Sequence, residues 1–107
     1  MKDEFLEHLL TIIKSKKNEN PKASYTAMLQ QKDLIEILKK IEEEAFEVID
    51  AAKFENKSDI IHEVADLWFH CLVLLAKKNL SVEDITNELK KRQGISGIEE
   101  KLNRVKK

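Results

Sequence analysis

Two short patterns of acids, Glu44-x-x-Glu47 and Glu63-x-x-Asp66, carry the chemistry that this sequence offers. Residues three apart on a helix share a face, so each pair aims at one point. The pairs are also mirror-placed: residue 44 matches 66, and 47 matches 63, about a centre near residue 55. In an antiparallel helical hairpin that turns there, all four carboxylates meet at one height, about two helical turns from the loop. Helical periodicity agrees on the faces. Lys40, Glu44, Glu47 and Ala51 fall in one arc with Glu43 at its edge, and Asp59, Glu63, Asp66 and His70 fall in another.

Carboxylates brought that close repel, and burial adds to the cost. Basic side chains or a bound cation relieve it, and Lys40 is the one base near in this geometry. Ligation by carboxylates without Cys points to a hard divalent ion, Mg²⁺ with Mn²⁺ as a substitute, over Zn²⁺. The alternative is an acidic helix surface whose acids are solvated or held in ion pairs. Mirror register about a single turn favours the metal site. A di-iron centre in a bundle needs Glu-x-x-His on two helices. The residues three before His8, His62 and His70 are Phe5, Asp59 and Leu67, which removes that redox reading.

The elements that position these acids follow from apolar spacing. Phe5, Leu6, Leu9, Leu10, Ile12 and Ile13 predict an amphipathic helix over 3–17. Residues 18–32 lose the periodicity and contain the only proline, which predicts a long connection with room for a short turn of helix. Asp33 with Glu36 reads as the cap of a second helix, marked by Leu34, Ile37, Leu38, Ile41, Ala45, Val48, Ile49 and Ala52 and ending near Phe54. Residues 55–57 read as the turn and Ser58 as the cap of a third helix. That helix is apolar over much of its circumference, which predicts a central position. Asn79 closes it. Ser81 with Asp84 predicts a capping box for a fourth helix through about Arg92, with Gly94 after its end. Gly97 precedes a last short helical stretch containing Ile98 and Leu102. The expectation is a single all-α domain over 1–107, four helices and a short C-terminal helical tail.

Composition supports this. Two glycines and one proline in 107 residues, with 42% hydrophobic and 36% charged, leave little for tight-turned sheets. A chain of this length has a thin core, so a partner subunit is expected. The lone Cys71 has no internal disulfide partner, and the acidic start and the absence of a long apolar run fit a cytoplasmic protein off the membrane. Residues 36–66 carry ten acids and four lysines, net −6, while 88–107 carry seven bases and three acids, net +4. A nucleic-acid binder would instead be basic over the whole domain.

Several segments resemble one family. Glu43-Glu44-x-x-Glu47 and Glu63-x-x-Asp66, with fifteen residues between them, resemble the MazG-like all-α nucleotide pyrophosphohydrolase superfamily. Ser24-Tyr25-Thr26, the stretch Lys40 to Glu47, the stretch Ala65 to Leu75 and the stretch Arg92 to Lys101 are similar to the phosphoribosyl-ATP pyrophosphatase family, over about residues 5–104. The family's usual glycines are replaced by Asp33 and Glu42, a helix cap and an acid away from the metal face. No segment resembles the cyclohydrolase domain fused to this enzyme in some organisms, so a stand-alone form is expected.

The resemblance implies hydrolysis of phosphoribosyl-ATP to phosphoribosyl-AMP and pyrophosphate, the second step of histidine biosynthesis. In that role Glu44, Glu47, Glu63 and Asp66 hold Mg²⁺. Glu43 either orients or deprotonates the water, or is a surface acid. Ser24, Tyr25, Thr26 and Lys40 fall to the substrate, and Arg92, Ser96 and Lys101 supply donors for phosphates beside Gly97. For Lys40 and the tail residues, plain solvation is the competing reading. His70 is expected as a hydrogen-bonded neighbour of Asp66 on the substrate side. Trp68 and Phe69 are expected in the core or a dimer interface. A substrate as large as phosphoribosyl-ATP implies a homodimer enclosing it. Two rivals remain: a house-cleaning hydrolase of surplus deoxynucleotides with the same metal site, and a helical interaction module without chemistry.

Overall fold

The computed structural model describes residues 4–54 and 56–93, and these form α-helices without strands. The five helices are α1 (Glu4–Ser15), α2 (Tyr25–Gln31), α3 (Leu34–Lys53), α4 (Lys57–Lys77) and α5 (Val82–Lys91). The four expected helices are present, and the room left in the connection is filled by α2. Ser24 starts α2 by accepting a hydrogen bond from the Ala27 amide on its Oγ, 3.1 Å away. Residues 94–107, including Gly94, Ser96, Gly97, Ile98, Lys101 and Leu102, lie outside the described residues, so the expected terminal stretch does too.

The α3–α4 hairpin is the main packing unit, and α4 also packs on α1 and α2 while α5 packs on α1. Its turn falls where the mirror pairing of the acids requires. The cap differs from expectation: Asn56, one residue ahead of the helix, accepts from the Asp59 amide at 3.2 Å, and Ser58 is already inside α4. Asp33 occupies the N-cap of α3 as expected, its carbonyl accepting from the Glu36 and Ile37 amides, but its side chain makes no capping hydrogen bond and Glu36 pairs with Lys39 instead.

At the other end of α4, Asn79 adopts φ 57°, and the Asn79 and Leu80 amides donate to Ala76 and Leu75. That is a Schellman closure on asparagine, which tolerates the left-handed region. The Ser81–Asp84 capping box forms in both directions, at 2.9 and 3.1 Å. Its hydrogen bonds from Ser81 hold the Asp84 carboxyl below its usual range.

Leu10, Ile13, Leu29, Ile37, Leu72, Val73 and Val82 form the buried core. Two polar bridges pin α2 in place: Gln30 Nε2 donates to the Ile13 carbonyl, and Lys77 Nζ donates to the Gln30 carbonyl at 3.3 Å. The expectation that α4 is central holds for its contacts but not for its whole circumference. Ile61 and Trp68 are 71% and 56% exposed, so the core reading of Trp68 fails in the single chain. On α3, Ile35, Leu38, Phe46 and Ile49 are exposed as well. Three partners around α4 leave a stripe that none of them reaches.

Candidate metal and active site

Glu44 and Glu47 lie one turn apart on α3, and Glu63 and Asp66 one turn apart on α4, on facing surfaces of the hairpin. Glu44, Glu47 and Glu63 each offer an oxygen within 4.8 Å of the others. Asp66 joins by a different route: Glu63, Asp66 and His62 form a second set within the same limit. The four expected carboxylates therefore converge as two overlapping sets that share Glu63. Asp66 Oδ2 is 3.3 Å from His62 Nε2. His62 was not among the residues singled out by the pattern of acids. Its signal in the sequence was the i,i+4 spacing to Asp66.

The electrostatics match the crowding. Glu44 is only 7% exposed, and its carboxyl is pushed up, first by burial and then by the charges of Glu47 and Asp66. Glu63 is also pushed up, by desolvation, by a hydrogen bond with Glu47 and by that residue's charge. Two carboxylates share a hydrogen bond only while one of them keeps a proton. Glu44 Oε1 and Glu63 Oε1 are buried without a hydrogen-bond partner among the described residues. A buried charged oxygen with no partner is costly, and a cation beside it removes the cost. Donor set and orphaned oxygens together fit a divalent cation.

Next to the cluster, towards the hairpin turn, lies a cavity of about 250 Å³ lined by Glu47, Asp50, Ala51, Phe54, Asp59 and Glu63. Four of its six lining residues are acids and none is basic, so a phosphate chain gains nothing there unless cations come with it.

Around the cluster, Lys40 Nζ pairs with Glu43 at 3.4 Å. Burial lowers the Lys40 pKa, but Tyr25, Glu43 and Glu44 more than offset it and hold the ammonium above its usual value. Glu43 itself is exposed, at the edge of the face where the helical arc puts it. His70 is buried, and its Nδ1 lies 2.8 Å from the Asp66 carbonyl. A carbonyl only accepts, so Nδ1 carries the proton and Nε2 is left as an acceptor. The Tyr25 hydroxyl, 3.0 Å away, donates to it. The expected His70–Asp66 contact is thus made to the backbone rather than the carboxylate, and it orients the ring towards Tyr25. Phe69, half-buried, stacks on Tyr25 with ring centroids 6.4 Å apart. Ser24–Tyr25–Thr26 is thereby tied to the α4 face that carries Asp66, with Ser24 serving as a helix cap. Arg92 caps α5 and pairs with Glu88 at 3.4 Å. Burial pushes the half-buried Cys71 thiol up, away from reactivity.

A family model described as phosphoribosyl-ATP pyrophosphohydrolase matches residues 6–93. A protein of Hydrogenovibrio crunogenus named phosphoribosyl-ATP pyrophosphatase is 50% identical over 99% of this chain and 97% of its own length. Proteins of the same name from Methylococcus capsulatus and Neisseria meningitidis are 50% and 46% identical, the first over 92% of this chain and 94% of its own, the second over 97% of both.

Proposed function

The chain belongs to the phosphoribosyl-ATP pyrophosphohydrolase family, and from that premise we infer that its carboxylate cluster hydrolyses phosphoribosyl-ATP to phosphoribosyl-AMP and pyrophosphate, the second step of histidine biosynthesis. The observation that carries this is the pair of buried, unpartnered oxygens on Glu44 and Glu63 between facing acids. Glu44, Glu47, Glu63 and Asp66 hold Mg²⁺, with Mn²⁺ as a substitute. When bound, the cation neutralises phosphate charge and activates water for in-line attack at phosphorus.

The chain's own residues do the rest. Glu43, exposed on α3 beside Glu44 and paired with Lys40, accepts the proton of the attacking water. Lys40, its ammonium kept charged by the acids around it, turns from Glu43 to a phosphate oxygen. Tyr25, fixed by His70, and Thr26 beside it border the nucleotide, with Ser24 holding the start of their helix. Arg92, Ser96 and Lys101 bind the phosphates that project beyond the hairpin, and Gly97 lets backbone approach them.

A homodimer completes the site. The cavity of about 250 Å³ is below the roughly 300–1,000 Å³ typical for small-molecule pockets. The exposed stripes of α3 and α4 are the apolar surface that a second copy covers. The reaction fits a cytoplasmic protein, and no described helix is long and apolar enough to cross a membrane.

A substrate panel tests the assignment. The chain with Mg²⁺ is expected to release pyrophosphate from phosphoribosyl-ATP far faster than from dCTP or dUTP. A preference for either deoxynucleotide would make it a house-cleaning hydrolase.

A further inference from the structure

Among the described residues, His62 is the one histidine within 4.8 Å of two of the cluster's acids, and the proposed reaction gives it nothing to do. Its Nε2 is 3.3 Å from Asp66 Oδ2. Neighbouring ligands of one octahedral ion, each about 2.1 Å from the metal, stand about 3 Å apart. The pair thus has the spacing of two ligands on one ion. Glu63 offers a third atom to the same set within 4.8 Å and belongs also to the set formed by Glu44 and Glu47.

Acids gathered on a helix would not by themselves indicate a ligand. Here Glu44 is 7% exposed with Oε1 unpartnered, inside the set that shares Glu63 with His62. As a mere ion pair, the contact of His62 with Asp66 has little value, because both side chains are open to solvent, at 71% and 41%.

We propose that His62 is a fifth ligand of the cluster, an imidazole that gives the site a preference for a borderline ion, Mn²⁺, over Mg²⁺. The proposal rests on the metal-site reading above and goes beyond it in the identity of the ligand and of the favoured ion. Carboxylates alone suit Mg²⁺ and Mn²⁺ alike, whereas imidazole nitrogen suits transition ions and adds little to Mg²⁺. His62 stands on the solvent side of Asp66, so it completes the cluster at its rim, where an ion enters.

The test uses the full chain at about pH 8. Calorimetry with Mn²⁺ and Mg²⁺ separately gives the affinity ratio, and pulsed EPR of the Mn²⁺-loaded protein reports whether nitrogen is coupled to the ion. Wild type is expected to favour Mn²⁺ by about tenfold or more and to show an imidazole nitrogen signal. His62→Gln is expected to lose the signal and most of the ratio while keeping its Mg²⁺ affinity. Circular dichroism checks that this exposed substitution leaves the fold intact. A nitrogen signal that survives His62→Gln, or wild-type Mn²⁺ without one, overturns the proposal and leaves the carboxylate site standing. If neither ion binds wild type more tightly than it binds Glu44→Gln, both readings are lost together.

Discussion

Glu44 and Glu63 place buried oxygens in the α3–α4 seam that no group among the described residues satisfies, so the metal-free chain carries an internal repulsion there. Glu47→Gln keeps the volume and removes one charge from it. Hydrolysis is expected to fall by orders of magnitude, while metal-free thermal stability stays level or rises. A drop in both would mark Glu47 as structural.

The same crowding sets a pH dependence. Glu44 and Glu63 have folded values above their ordinary 4.5, so between that value and the raised one the folded chain binds more protons than the unfolded chain. Their contribution to stability is fully present below 4.5 and is lost as pH rises through the folded values. Asp84, with a lowered value, acts in the opposite sense and only at lower pH. Melting of the metal-free chain at pH values rising from 4.5 should show the loss, and Glu44→Gln should flatten it. The register of the carboxylates was legible because two ExxE-type pairs mirrored about a turn leave few other arrangements. The role proposed for His62 was not, since its one signal, the i,i+4 spacing to Asp66, is ordinary on an exposed helix face.

At the scale of the element, α2 is the part the sequence showed least. Seven residues are too few to display a helical apolar period, and the start is written in a single cap, Ser24. Ser24→Ala should cost about 1 kcal/mol, read as a lower melting temperature. Tyr25→Phe removes the hydroxyl that joins α2 to His70. It leaves a buried acceptor unpaired, a loss of about 1 kcal/mol or somewhat more. If the tie serves the substrate, KM for phosphoribosyl-ATP rises with it, while an unchanged KM would reduce the tie to packing.

Other boundaries were legible where local chemistry leaves one option. The Ser81–Asp84 box and the Asn79 closure formed as read. The start of α4 was misread because Asn56 and Ser58 are both good caps, and sequence alone does not say which amides are left open.

For the molecule as a whole, the sequence shows that α4 is apolar over much of its circumference but not what covers each part of it. Ile61 and Trp68 on α4 and Phe46 and Ile49 on α3 are exposed in the single chain. Light scattering is expected to give twice the chain's 12.5 kDa. Trp68→Glu is expected to give one chain's mass and to lose activity, because the pocket opens. Full activity from a wild-type monomer would refute the dimer. The central claim, that this cluster is a cation-dependent pyrophosphohydrolase site, has a direct test in pyrophosphate release from phosphoribosyl-ATP. Wild type and Glu47→Gln are compared, each with Mg²⁺ and with chelator. The predicted result is release by wild type with Mg²⁺ and by none of the other three. Equal release by Glu47→Gln, or by wild type in chelator, would contradict it.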